Sequence, residues 1–166
     1  MEHDLRKSLT AICRSLQHWN VRYLFVGGTA VALHGYYRHS MGPNGKLTTK
    51  PDIDVWYDPT YENYFSLLQM LKDLDLDVAK FMNEPHPDPK RSFFKLDMGE
   101  FTLDVLPRIL ADIPFADAYT RKENVDLDGV PIHYLGFADL LEDKQRSARK
   151  KDQADIEQLK RQKDED

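Results

Sequence analysis

The sequence predicts an α+β (mixed α/β) fold, a mixed β-sheet flanked by helices and closed by a C-terminal helical segment. Three observations predict it. Apolar residues switch repeatedly between helical and strand spacing along residues 5–106. Two turn signals, Met98-Gly99-Glu100 and Asp128-Gly129, each separate a pair of strand-like runs. From Asp139 to Asp166 charges of both signs surround a thin apolar stripe, which is the pattern of a helix with a narrow buried side.

The elements follow in order. Leu5, Leu9, Ile12, Cys13 and Leu16 recur at helical spacing with Arg6, Lys7, Arg14 and Gln17 between them, so the first helix is amphipathic and Cys13 belongs to its core face. Tyr23–Val26 is a short apolar run ending at Gly27-Gly28, a buried strand that stops at a tight turn. Thr29 to His34 resumes a short helix that Gly35 terminates. Residues 39–51 hold Gly, Pro and an Asn-Gly pair and read as a loop. Ile53, Val55 and Trp56 make the next strand, and Tyr61, Tyr64, Phe65, Leu68, Leu71 and Leu74 a second amphipathic helix. Pro85, Pro87 and Pro89 stiffen a loop in which His86 and Asp88 lack the further ligands a metal needs. Ser92–Asp97 with Phe101–Leu106, and Val125–Leu127 with Ile132–Leu135, are the two hairpins. A final helix opens at Gly136 or Asp139, carries the stripe Leu140, Leu141, Ala148, Ile156 and Leu159, and frays after Lys160.

Composition narrows the function. The 166 residues suit one domain, and 41% hydrophobic content supports a sizeable core. Lys plus Arg number 23 against 28 Asp plus Glu, a net charge of −5, which argues against a duplex-DNA coat. A single cysteine excludes an intramolecular disulfide framework and suits a reducing compartment. The segment MEHDLRKSLT has no apolar signal core, and the stretch around Leu24 to Leu33 is too short to span a bilayer. The expectation is a soluble cytoplasmic protein without a membrane partner.

Three aspartates stand out. In a strand Asp52 and Asp54 share one face while Ile53 and Val55 point to the core. Side-by-side carboxylates repel unless a cation lies between them, and hard cations such as Mg²⁺ or Mn²⁺ accept that arrangement with phosphates as further ligands. Asp104 interrupts the apolar strand Phe101-Thr102-Leu103-Asp104-Val105 on the face opposite Phe101, Leu103 and Val105. A lone carboxylate there is costly. If the two strands are neighbours, all three acids converge on one metal site, and the third can also deprotonate a hydroxyl. Glycines at Gly27 and Gly28 let the backbone approach a ligand beside that site. The Thr29 hydroxyl either bonds a phosphate or caps the helix. No Walker loop and no G-x-G-x-x-G is present.

Together Gly27-Gly28-Thr29-Ala30, His34-Gly35, Arg38 and Thr49-Lys50-Pro51-Asp52-Ile53-Asp54 resemble the signature of the DNA polymerase-beta-like nucleotidyltransferase superfamily. The tail, Leu140-Leu141-Glu142-Asp143-Lys144 followed by Arg149-Lys150-Lys151-Asp152 and Asp155, resembles its small bacterial branch of abortive-infection toxins and minimal nucleotidyltransferases. The resemblance runs from about Tyr23 to Leu159. It implies a nucleotidyltransferase core over residues 1–137 with a helical extension, 138–166, packed on the same domain. It implies transfer of a nucleoside monophosphate from an NTP such as ATP to a hydroxyl or phosphate acceptor, with tRNA or protein as acceptor and a toxin–antitoxin or phage-defence setting. A small antibiotic nucleotidyltransferase of aminoglycoside or lincosamide type is the alternative, and a catalytically silent partner or antitoxin a third. On this likeness Asp52, Asp54 and Asp104 bind Mg²⁺ or Mn²⁺, Gly27, Gly28 and Thr29 hold the triphosphate, and Lys144 lies near the nucleotide. Arg38 and Lys50 join the nucleotide-binding set; Lys46 and Lys50 either neutralise phosphates or are solvated loop charges. A Gly/Pro/Asn insertion separates Arg38 from the acidic pair, making residues 39–48 a candidate lid or acceptor loop.

Overall fold

Tyr23, Leu24, Phe25 and Val26 are buried without alternation, as a strand covered on both faces requires. In the computed structural model, which describes residues 3–36, 46–47 and 50–165, this strand lies inside a mixed sheet. The strands are β2 (Tyr23–Val26), β4 (Asp52–Tyr57), β5 (Phe94–Asp97), β6 (Thr102–Leu106), β7 (Glu123–Leu127) and β8 (Val130–Tyr134). Their spatial order is β5-β6-β4-β2-β8-β7. β4 runs parallel to β6 and antiparallel to β2, and β2 runs parallel to β8. The outer strands β5 and β7 pair antiparallel with β6 and β8 as the two predicted hairpins. Asp128 and Gly129 both take positive φ, the backbone of a type I′ turn, and the Gly129 N–H donates to Asp126 Oδ1 at 2.8 Å. The short β1 (His3–Asp4) pairs antiparallel with β3 (Lys46–Leu47).

Helices cover both faces. The stripe Leu5, Leu9, Ile12, Cys13 and Leu16 of α1 (Leu5–His18) is buried against one face, as predicted, together with Tyr64, Leu67, Leu68 and Leu71 of α3 (Tyr61–Asp73). Within α3 the predicted stripe needs correction. Tyr61 and Phe65 are 61% and 41% exposed, and Leu67 and Met70 face the core instead. Aromatic residues at helical spacing misled because the buried arc follows 64, 67, 68 and 71, a turn that excludes 61 and 65. The opposite face packs Leu24, Val26 and Trp56 against α2 (Gly27–Val31), α5 (Phe115–Thr120), α6 (Phe137–Gln145) and α7 (Lys150–Glu165). A short α4 (Ala79–Met82) precedes the proline loop, which the Tyr57 hydroxyl ties down through the carbonyls of Pro89 and Ser92.

Two further expectations change. The helix after β2 starts at Gly27 rather than Thr29, and its last turn, Ala32–Tyr36, ends where Gly35 takes φ of 108°. The C-terminal region is two helices, broken at residues 146–149, with Ala148 exposed and helical structure continuing to Glu165. Arg38 and most of the predicted 39–51 loop, including most of the insertion at 39–48, lie outside the described residues. Among the described residues no helix is long and apolar enough to cross a membrane.

Candidate active site

Strand register builds the site. Val26 of β2 pairs with Asp54 of β4, and Asp54 pairs with Asp104 of β6, so the glycine bend and both acids lie abreast on adjacent strands. Neighbouring strands are about 4.8 Å apart, which brings the two carboxyl groups together. Burial pushes the Asp54 carboxyl up to about 7, and the adjacent Asp104, by its charge and its hydrogen bond, adds to the shift. Asp52 contributes less, and Lys144 opposes the effect. Asp104 Oδ1 is buried with no hydrogen-bond partner among the described residues; Lys95 Nζ lies 3.7 Å from it. Asp52 is exposed and lines the mouth of the same cavity.

Gly27 is required at this register. Its φ is 59°, and a Cβ placed on it would overlap Asp54 Oδ2. Gly28 also lines the cavity, with open space where its side chain would lie. Thr29 makes no helix cap. It is buried, and its Oγ1 accepts from the Asp54 N–H at 3.3 Å, which fixes the backbone of the acidic strand instead of capping the helix.

The cavity measures about 400 Å³ and is lined by charges of both signs. Among the described residues five acids, Asp52, Asp54, Asp104, Asp143 and Asp152, and four cations, Arg108, Lys144, Arg149 and Lys151, line it. Lys144, predicted near the nucleotide, does line the cavity, yet it is 4% exposed and its Nζ lies 2.7 Å from Asp152 and 3.0 Å from Asp155. Lys50 does not join the lining: its Nζ donates to Asp97 Oδ1 at 2.6 Å. Lys46 forms part of β3. His34 is a packing residue, hydrogen-bonded to the Leu135 carbonyl at 2.7 Å and edge-on to Tyr134 and Phe137; burial lowers its pKa.

Sequence reasoning did not single out Arg108 or assign a role to Asp143. A single oxygen of Asp143 accepts from the N–H groups of Leu110 (2.7 Å) and Ala111 (2.9 Å), pinning the chain after β6 to α6. In the sequence Asp143 is one acid in a charged helix, so only its contacts distinguish it.

Among the described residues no three His, Cys, Asp or Glu side chains are grouped as a closed metal-binding set. The expected convergence is therefore a contacting pair, Asp54 and Asp104, with Asp52 at the rim. The pair still suits a hard cation: two mutually repelling carboxyls and an orphaned buried oxygen are what a divalent ion satisfies.

The fold is that of nucleotidyltransferase-like proteins of known structure. The chain is similar to an antigenic nucleotidyltransferase-like protein from Paracoccidioides brasiliensis, with a TM-score of 0.57 and 15% identity over 96% of this chain and 75% of that one. It is also similar to the lincosamide antibiotic adenylyltransferase LnuA in its lincomycin-bound form (TM-score 0.56, 20% identity, 93% of this chain and 95% of that one). The antibiotic-resistance factor ANT(2'')-Ia gives a TM-score of 0.54 at 17% identity over 93% and 82% of the two chains. No family model and no curated protein matches the sequence.

Proposed function

We propose that the chain is a divalent-metal-dependent nucleotidyltransferase that moves a nucleoside monophosphate from an NTP to an acceptor oxygen, releasing pyrophosphate. One observation carries this: a contacting carboxyl pair shares a single cavity at the glycine bend with Arg108, Lys144, Arg149 and Lys151. An NTP needs both kinds of charge, since its phosphates are anionic and its metal is cationic.

Asp54 and Asp104, with Asp52 at the mouth, are the residues that would hold Mg²⁺ or Mn²⁺. When bound, such a metal neutralises charge on the entering and leaving oxygens of an in-line displacement. Of the cavity's cations, Arg108, Lys144, Arg149 and Lys151 bind the polyphosphate, and Gly27 and Gly28 let it approach the backbone. Thr29 orients Asp54 through the backbone bond. The Asp104 carboxylate also takes the proton from the acceptor hydroxyl.

The acceptor class proposed is tRNA or protein, in a toxin–antitoxin or phage-defence setting, on the strength of the tail Lys144, Arg149, Lys151, Asp152 and Asp155. A second reading, a small antibiotic acceptor, is supported by the near-complete mutual coverage with LnuA and by the net charge of −5, which suits a cationic drug better than RNA. Incubation with each α-labelled NTP and Mg²⁺, offering tRNA, protein, lincosamide and aminoglycoside acceptors, tests both. Label transfer that disappears in Asp54→Asn and Asp104→Asn is the expected result. Undiminished transfer in both variants overturns the site, and a wild-type chain that binds no nucleotide in calorimetry favours a silent binding partner.

A further inference from the structure

Asp152 lies in the first turn of α7, lines the cavity and is 1% exposed, yet the chemistry above gives it no part. Donors converge on both of its oxygens. Oδ1 accepts from Lys144 Nζ at 2.7 Å and Arg149 Nη2 at 3.2 Å, and Oδ2 from Arg149 Nε at 2.6 Å and the Ser147 hydroxyl. Burial alone would raise this carboxyl, but the hydrogen bonds from Arg149, Lys144 and Ser147 hold it well below the usual carboxylate range.

The partners come from three consecutive pieces of chain. Lys144 ends α6, Ser147 and Arg149 belong to the break at residues 146–149, and Asp152 opens α7. The break is braced around the same centre, with the Arg149 N–H donating to Ser147 Oγ at 3.2 Å and Gln153 Nε2 to the Ser147 carbonyl at 2.9 Å. Lys144 and Arg149 both line the cavity, the Arg149 side chain 72% exposed, and each shares the field of Asp54. An ion cluster around a buried carboxylate is a poor device for stability alone, because desolvation offsets its attraction. Orienting two long, flexible cations is something such a cluster does well.

We propose that Asp152 is a positioning residue that aims Lys144 and Arg149 at the phosphates of a bound nucleoside triphosphate. This rests on the nucleotide reading above. It makes a prediction of unusual sign. Asp152→Asn removes a negative charge from an anion-binding wall, so charge counting alone predicts tighter phosphate binding. Positioning predicts weaker binding, because one of the two acceptor oxygens becomes an NH₂ that faces donors; Lys144 keeps Asp155 at 3.0 Å, so Arg149 is the cation chiefly released.

The test is isothermal titration of the full chain with inorganic tripolyphosphate and Mg²⁺, and with each Mg²⁺·NTP. Loss of folded protein alters the stoichiometry, whereas misaimed cations alter Kd. The expected result for Asp152→Asn is a Kd raised about tenfold or more at unchanged stoichiometry, the size of one lost charge-assisted hydrogen bond. Unchanged or tighter binding overturns the proposal. Should Asp152→Asn fail to fold by circular dichroism, Ser147→Ala decides: it loosens Asp152 without changing charge, and a Kd raised roughly threefold supports positioning while an unchanged Kd refutes it. A wild-type chain that binds neither tripolyphosphate nor any NTP overturns the nucleotide reading itself; failure in the variants alone overturns only the role of Asp152.

Discussion

Replacing Gly27 by alanine probes the carboxyl pair through the backbone. At φ of 59° an L side chain costs about 1–2 kcal/mol. The added methyl also overlaps Asp54 Oδ2, so Asp54 must leave its rotamer, at about 1 kcal/mol. The sum is about 2–3 kcal/mol, which for a chain of this length lowers Tm by roughly 5–10 °C. Thermal and urea unfolding measure this directly. Gly28→Ala is the control: that position has free space for a methyl and no positive φ, so its stability stays within about 1 kcal/mol of wild type. A double-mutant cycle separates the contributions. With Asp54→Ala in the background the overlap disappears, and Gly27→Ala then costs only the backbone strain, a coupling of about 1 kcal/mol. Label transfer in Gly27→Ala falls with the displacement of Asp54. A variant that melts within 1 °C of wild type and transfers label normally would refute the proposed fit between Gly27 and Asp54.

Further outcomes are expected. Because Asp54 titrates near 7 when folded and near 3.8 when unfolded, the folded chain keeps a proton the unfolded chain releases; this contribution to stability is full below about 4 and is lost as pH rises through 7. Urea midpoints of the metal-free chain from pH 4.5 to 8 therefore show a falling component of at most about 1.4 kcal/mol per pH unit, which Asp54→Asn removes. Millimolar Mg²⁺ raises Tm more at pH 8 than at pH 5, and EDTA reverses the gain; equal shifts at both pH values count against the carboxyl pair as the metal site. Asn63→Ala, which removes a buried amide bonded to Arg22 N, Arg22 O and Asp58 O, destabilises the chain by about 2–3 kcal/mol in urea unfolding without touching the cavity.

The fold was largely legible because its signals are local. Alternation put Asp52 and Asp54 on one face and marked Asp104 as the misfit of an apolar strand, and the Gly99 and Asp128-Gly129 turns announced both hairpins. The α3 stripe was legible in kind but misplaced, since helical spacing alone does not say which arc of the helix meets the sheet, and Tyr61 and Phe65 lie outside it. The break after α6 was hidden, because a helical charge pattern carries across it and the polar cluster that braces it is assembled from separated side chains.

Backbone periodicity is a property of neighbouring residues, so strand faces, turns and the apolar stripe of α1 are dictated by the chain order alone. Register between β4 and β6 is not: Asp54 opposes Asp104 only because the intervening chain and the packing on both faces of the sheet hold those strands at that offset. The same holds for the long charged side chains. Lys144, Lys50 and Arg149 each have many rotamers, and the partner that selects one (Asp152, Asp97, Asp152 again) is brought within reach only by the folded structure.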